Sequence, residues 1–197
     1  MITSGQGDVY LDNDVSLDNT EVIDLRSGIT FHMAPLAKST LRATGGLLDG
    51  LPVVCGGYDD QIHSIAKNQS KCLGQLTVRR TCAASVVLSN NTLWVTGGYD
   101  HQSRNRLKST ECVTKEGKTS KGPDLPLALE DHAIVALNRG VFILIGGSSG
   151  AGSSSATYFY EEKKGWRPGP NLKNARRKHT ARVLTDGVGT TQYVHCC

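Results

Sequence analysis

No apolar run in the sequence approaches the ~20 residues that a membrane-spanning helix needs, so a helical membrane protein is excluded and no membrane partner is expected. The six cysteines (Cys55, Cys72, Cys82, Cys112, Cys196, Cys197) contain no Cys-x-x-Cys pair, which leaves a structural zinc site without support. Reduced, partly buried thiols are the expected state of the first four. The opening stretch MITSGQGDVYLDND has neither the basic start nor the apolar stretch of a secretory leader. The expected location is therefore cytoplasmic, where thiols stay reduced. An extracellular location is the expectation if the chain is a fragment of a secreted protein, and only then would the sequons at Asn68 and Asn90 matter. Gly-x-Ser-x-Gly, His-Glu-x-x-His and Walker-type loops are also missing.

What remains is a chain of 197 residues, 38% hydrophobic and 20% charged, too apolar for wholesale disorder and long enough for one substantial core. Glycine is in excess: 22 residues, about 11% against a usual ~7%. Six prolines add to the turn content, so long helices are not expected and an all-β chain is. Charge is uneven. Residues 1–36 hold six acids and one base, residues 161–182 eight bases and two acids. The ordinary reading is two solvated surfaces of opposite sign; the sharper one is mutual attraction of the two ends, or an acidic partner for the basic end. Nucleic acid is not expected, because only Trp166 offers a stacking platform beside the basic stretch.

The strongest signal is a repeat. LPVVCGGYDD (51–60), TLWVTGGYDH (92–101) and VFILIGGSSG (141–150) are each a short apolar run ending in a Gly-Gly doublet: Gly56-Gly57, Gly97-Gly98 and Gly146-Gly147. The first glycines are 41 and 49 residues apart, a period that suits a four-stranded blade. Ile2 to Gly5 reads as a degenerate earlier copy. Runs of four to six β-branched or bulky residues are strand-length and fit a strand buried on both faces. Consecutive glycines fill no space; they permit positive φ and close backbone approach.

A strand-like segment precedes each doublet, at 41–48, 82–88 and 132–137, with another at 179–184. Short turns follow: Asp49-Gly50, Asn90-Asn91, Asn138-Arg139-Gly140 and Asp186-Gly187. Strand, turn, apolar strand and doublet thus form a repeated antiparallel hairpin. A third strand is clearest at 20–25 and 157–160, its polar partner begins at Phe31 or Trp166, and Pro-containing links end each unit.

This pattern resembles the kelch repeat of β-propellers, and the resemblance spans nearly the whole chain. Arg42, Cys82 and His132 stand 14, 15 and 14 residues before their doublets, and His132 matches the family's usual His. The 176–179 stretch matches its Arg-then-His opening. Tyr58-Asp59 and Tyr99-Asp100 match its aromatic-acidic pair, and Trp166 its blade-closing Trp, with Phe31 substituting in the first unit. The second and third units lack that Trp, and by spacing Cys196-Cys197 occupies the last doublet position.

The expectation is one all-β domain over 1–197, a kelch-type propeller of about four four-stranded antiparallel blades (1–38, 39–78, 79–128, 129–176, partial 177–197), incomplete or open. Open blade faces leave three possibilities: a piece of a longer propeller, closure of a small ring in which 179–184 serves as first strand, or completion by a second chain through the open edges.

No catalytic residue, metal site or cofactor is assigned. The Gly- and Ser-rich stretch 147–152 lacks the Lys of a phosphate loop, and Asp12-Asn13-Asp14 with Asp18 lacks the turn Gly and closing Glu of a calcium loop. Tyr58 and Tyr99 are expected to pack between blades, His132 and His179 to be satisfied core residues. By resemblance the function is non-catalytic protein binding, as in substrate-recognition parts of cullin-type ubiquitin ligase adaptors or in actin-binding kelch proteins. The contending class is an enzyme of the galactose-oxidase-like superfamily, a copper oxidase or sugar isomerase. The partner-binding candidates are Tyr58, Asp59, Asp60, Tyr99, Asp100, His101, Arg104, Ser148 and Ser149.

Overall fold

The computed structural model describes residues 18–138, 140–185 and 192–196. The expected features at Ile2 to Gly5, Asp12 to Asp14, Arg139, Asp186-Gly187 and Cys197 lie outside the described residues. Within them every regular element is a strand. In chain order these are β1 (Glu21–Ile23), β2 (Thr30–His32), β3 (Thr44–Leu48), β4 (Leu51–Cys55), β5 (Gln61–Ile65), β6 (Ser70–Gln75), β7 (Ala84–Val87), β8 (Leu93–Thr96), β9 (Tyr99–Asp100), β10 (Asn105–Arg106), β11 (Thr110–Val113), β12 (Thr119–Lys121), β13 (Ala133–Asn138), β14 (Val141–Ile145), β15 (Thr157–Glu161), β16 (Gly165–Pro168), β17 (Ala181–Thr185) and β18 (Gln192–Cys196).

They form three complete antiparallel blades, β3-β4-β5-β6, β7-β8-β11-β12 and β13-β14-β15-β16, flanked by the hairpins β1-β2 and β17-β18; β9-β10 is a small extra hairpin on the middle blade. The first strands β3, β7, β13 and β17 pack side by side in that order, so the sheets are stacked around a common inner line. Along it the chain stitches blade to blade. The Cys82 N–H donates to the Arg42 carbonyl (3.2 Å), Asp131 N–H to Cys82 (2.9 Å) and Lys178 N–H to Asp131 (3.0 Å). These four residues share φ of 54–58°. The repeat therefore aligns Asp131 with Arg42 and Cys82; His132 stands one place later, level with His179.

The second strands explain the apolar runs. β8 is buried along its whole length and β4 at all but its first residue, Leu51, because side chains alternate to opposite faces and both faces are covered. Leu48, Val53, Cys55, Leu93, Val95 and Val113 fill the space between the first and middle blades. Trp94, Ile134 and Phe142, with Tyr160 and Trp166 against them, fill the next. Each such burial is worth roughly 1.5–3 kcal/mol, so the inter-blade layers carry most of the stability.

The doublets make close stacking possible. Gly57 sits at φ 95° and its N–H donates to the carbonyl of Arg80, in the link to the following blade, at 2.9 Å. Gly98 and Gly147 repeat the contact to Leu129 (2.7 Å) and Arg176 (3.0 Å). A Cβ on Gly98 would lie 2.7 Å from the Thr81 carbonyl oxygen, so only glycine fits.

Hairpin β1-β2 is the outer half of a blade. The Thr20 hydroxyl donates to the Ala34 carbonyl (2.9 Å), and the Thr20 carbonyl accepts the Met33 N–H (2.8 Å). Thr110 does the same with Pro123 and Gly122, and Thr157 with Pro170 and Gly169, at the corresponding place in the two later blades. Hairpin β17-β18 is the inner half. Cys196 pairs with Ala181 as Leu144 pairs with Ile134 and Val95 with Ser85. Cys196 thus stands two positions before a doublet site, which corrects the spacing-based assignment; differing turn lengths produced the error.

Candidate functional site

The two ends of the blades differ. At one end the hairpin turns are tied to one another: Asn91 Nδ2 donates to Asp49 Oδ1 (2.6 Å), Lys115 pairs with Asp49 (2.8 Å), and Ser89 Oγ donates to Glu162 (2.7 Å). At the other end lie the doublets, the links between blades, and the longer loops after β4, β8 and β14.

Here the first two loops meet in an open cleft of about 430 Å³ lined by Gly57, Tyr58, Arg79, Tyr99, His101 and Gln102. The Tyr58 and His101 rings stack with centroids 4.8 Å apart and planes 24° from parallel. The Tyr99 ring meets His101 edge to face at 4.9 Å. Arg106 continues the series, its guanidinium carbon 5.8 Å from the Tyr99 centroid. His101 is held further by Thr81, whose Oγ1 lies 3.2 Å from its Nε2. Four side chains from two neighbouring blades thus form one ladder, and its outer rung, Tyr58, is 48% exposed.

The expected packing of Tyr58 between blades is corrected by this. The doublet turns the chain outward at φ 73° and 95°, so the next side chain leaves the core. Tyr99 is half-buried and does lie under the loop.

The other candidates separate by role. Asp59 is buried: its Oδ1 accepts the Gln61 N–H (3.1 Å) and Lys38 approaches its Oδ2 at 3.7 Å. Ser148 is buried as well, exchanging backbone hydrogen bonds with Glu130 at 2.8 and 3.1 Å. Neither can touch a partner, because the turn after a doublet needs an inward polar group to satisfy its own backbone. Asp60 is half-buried beside Arg79 (3.8 Å). Asp100 caps its own loop: the Ser103 hydroxyl (2.6 Å) and the Gln102 N–H (2.9 Å) donate to it and hold its carboxyl below the usual range. Arg104 and Ser149 are exposed, Arg104 at φ 57° at the tip of β9-β10.

Sequence reasoning passed over Arg79 in the cleft, and marked Gln102 and Arg106 only as part of the loop from Tyr99 to Arg106 rather than as individual residues. Arg106 bridges to the third blade through Glu130 at 2.7 Å. The repeat carried no signal for Arg79: by the doublet contacts Arg80 corresponds to Arg176, so Arg79 corresponds to Ala175.

His132 belongs to the core; His179 is half-buried and neither ring nitrogen makes a hydrogen bond, which corrects the expectation of a satisfied core residue there. His132 Nε2 lies 2.9 Å from Thr96 Oγ1, and burial, with His179 nearby, pushes its pKa down to about 4. Cys82, Glu130 and Asp131 bring three possible ligand atoms within 4.8 Å of one another. Arg106 already engages Glu130, and burial together with Asp131 raises the Cys82 thiol. The group is part of the blade-to-blade stitching.

No protein-family model matches the sequence, and no curated protein matches it. Solved structures do match the fold. The structure of YjhT superposes with a TM-score of 0.73 at 13% identity, over 85% of this chain and 70% of that one. A fungal alcohol oxidase of the AA5 family, solved in complex with copper, superposes with a TM-score of 0.54 at 14% identity, over 91% of this chain and 52% of the oxidase. The chain thus spans about half the length of that oxidase. At these identities the likeness is one of fold alone: an all-β, kelch-type propeller architecture.

Proposed function

We propose that the chain is a non-catalytic protein-binding module that engages its partner through the doublet end of the first and middle blades. The observation that carries this reading is the Arg106–Tyr99–His101–Tyr58 ladder, which ends on an exposed tyrosine at the wall of an open cleft. Aromatic rings fixed by stacking offer contact area at small entropic cost, and Arg79 and Gln102 add polar contacts around them. The blades beneath are rigid, so the loops are presented in fixed order. Filamentous actin and substrates of cullin-type ubiquitin ligases are the partner classes suggested by the kelch resemblance.

The enzyme reading would need tyrosine and histidine side chains converging on one ion. In the ladder the histidine is stacked on Tyr58 and its Nε2 lies against Thr81, so the site favours binding over oxidation.

The experiment is site-specific photo-crosslinking from Gln102 in the cleft and from Lys67, in the β5-β6 turn at the opposite end. Adducts with a discrete protein should form from Gln102, not from Lys67, and disappear with Tyr58→Ala and His101→Ala while circular dichroism is unchanged. Equal adducts from both positions, or adducts indifferent to both variants, would overturn the reading. Co-sedimentation with filamentous actin tests the first partner class, and copper content with turnover of simple sugars tests the rival.

A further inference from the structure

The two loops that form the cleft are balanced in formal charge but not in what they offer a partner. With the link residue Arg79 they carry three acids, Asp59, Asp60 and Asp100, and three bases, Arg79, Arg104 and Arg106. The acids are engaged within the loops. Asp59 is 5% exposed and its Oδ1 accepts the Gln61 N–H (3.1 Å). Asp100 accepts the Ser103 hydroxyl (2.6 Å) and the N–H groups of Gln102 (2.9 Å) and Ser103 (3.2 Å). Asp60 is half-buried, and its carbonyl holds the link by accepting the Leu76 N–H at 2.7 Å. Glu130, at the edge of the third blade, is taken by Arg106 at 2.7 Å.

Two of the bases stay available. The Arg79 side chain is 57% exposed and comes no nearer to Asp60 than 3.8 Å, and its guanidinium makes no hydrogen bond among the described residues. Arg104 is exposed at the tip of β9-β10 and has no ion pair among them. Arg79 also stands on fixed backbone. Its neighbour Arg80 is buried, and Arg80 Nη1 donates to the carbonyls of Gly97 (2.8 Å) and Ser109 (3.0 Å). An exposed guanidinium on rigid backbone is a fork that matches a carboxylate with two parallel hydrogen bonds.

We propose that the cleft takes an acidic segment of the partner protein, with a carboxylate on Arg79 and a flat apolar side chain beside it on Tyr58. This rests on the protein-binding reading above and names the chemistry of what is bound. The Tyr58 ring gives one face to His101 and is still 48% exposed, so ring surface remains for a second flat group. Gln102 carries both a donor and acceptor, which suits the backbone of an extended segment. A basic segment would meet Arg79 and Arg104 while every acid of the two loops is already engaged, and that repulsion selects against it. Two free bases are too small a footprint for the phosphate track of a nucleic acid.

The probe is a short synthetic peptide, Gly-Glu-Phe-Glu-Gly with both ends blocked, titrated into the full chain and read by NMR amide shifts. The reference peptide carries Lys in place of each Glu. The acidic peptide should shift the amides of the cleft and bind at least tenfold more tightly than the reference, and its affinity should fall as salt rises to about 0.5 M. Arg79→Glu should lower that affinity at least tenfold and raise affinity for the reference peptide. Arg79→Gln, which removes the charge without reversing it, covers the case in which the reversal fails to fold. Tyr58→Ala should weaken binding without changing its salt dependence, and Lys67→Glu, at the opposite end, should leave binding unchanged. Equal affinity for the two peptides, no shifts at the cleft, or a single-stranded oligonucleotide bound as tightly as the acidic peptide would overturn the proposal. Crosslinking separates it from the reading it rests on. Adducts from Gln102 that are indifferent to Arg79→Glu would sink the acidic segment alone, whereas the absence of adducts from Gln102 would sink both.

Discussion

Arg80 Nη2 lies 2.8 Å from Glu111 Oε1, and both side chains are almost wholly buried. The pair joins the link after the first blade to β11 of the middle blade. Arg80 Nη1 also donates to the carbonyls of Gly97 (2.8 Å) and Ser109 (3.0 Å), and Glu111 accepts the N–H groups of Thr77 (2.7 Å) and Val78 (3.3 Å). Two opposite charges taken out of water are tolerable only with such extensive hydrogen bonding, which leaves Arg80 Nε alone of the guanidinium nitrogens without a partner. Arg80→Met should therefore destabilise by about 3–5 kcal/mol, because a buried carboxylate is left uncompensated. Adding Glu111→Gln should recover part of the loss. Urea denaturation of the two single variants and the double variant measures the coupling; strict additivity would contradict it.

The doublet predicts a contrast between glycines. Gly98→Ala puts a Cβ 2.7 Å from the Thr81 carbonyl oxygen at φ 99°. Gly28→Ala, at φ 70° with nothing within 4 Å, meets only backbone strain, about 1–2 kcal/mol. Gly98→Ala should cost roughly twice that or more, and the difference in urea midpoints reads it directly.

His132 makes stability depend on pH. Its folded pKa, pushed down to about 4 by burial, lies below the ordinary value of 6.5 that the unfolded chain recovers. Between those values the unfolded state binds more protons, so stability is present above pH 6.5 and is lost as pH falls toward 4. His63 and His179 are lowered in the same direction by burial. The urea midpoint should fall steadily from pH 7 to pH 4.5, and His132→Gln should flatten the slope. An unchanged slope in that variant would remove His132 as the cause.

Much of the fold was written in the sequence. Val53-Val54 and Trp94-Val95 ahead of paired glycines fix strands buried on both faces, because alternation and the missing Cβ are local properties. The β9-β10 hairpin was not legible, since two-residue strands carry no periodicity. The alignment of His132 with Arg42 slipped by one residue, because spacing cannot see that the stitching residues share positive φ. In the site, Tyr58, Tyr99 and His101 were marked by the repeat, whereas the burial of Asp59 and Ser148 was invisible until the turns they satisfy were formed.

The sequence by itself determined the repeated blade, its strand order and the opposite charge of its two ends, since these depend on period and composition. Only the tertiary structure decided which side chains meet: the stacking of His101 on Tyr58 and the burial of Arg80 against Glu111. Those contacts cross between units 31 to 43 residues apart, and nothing local in the chain specifies how one sheet lies on the next.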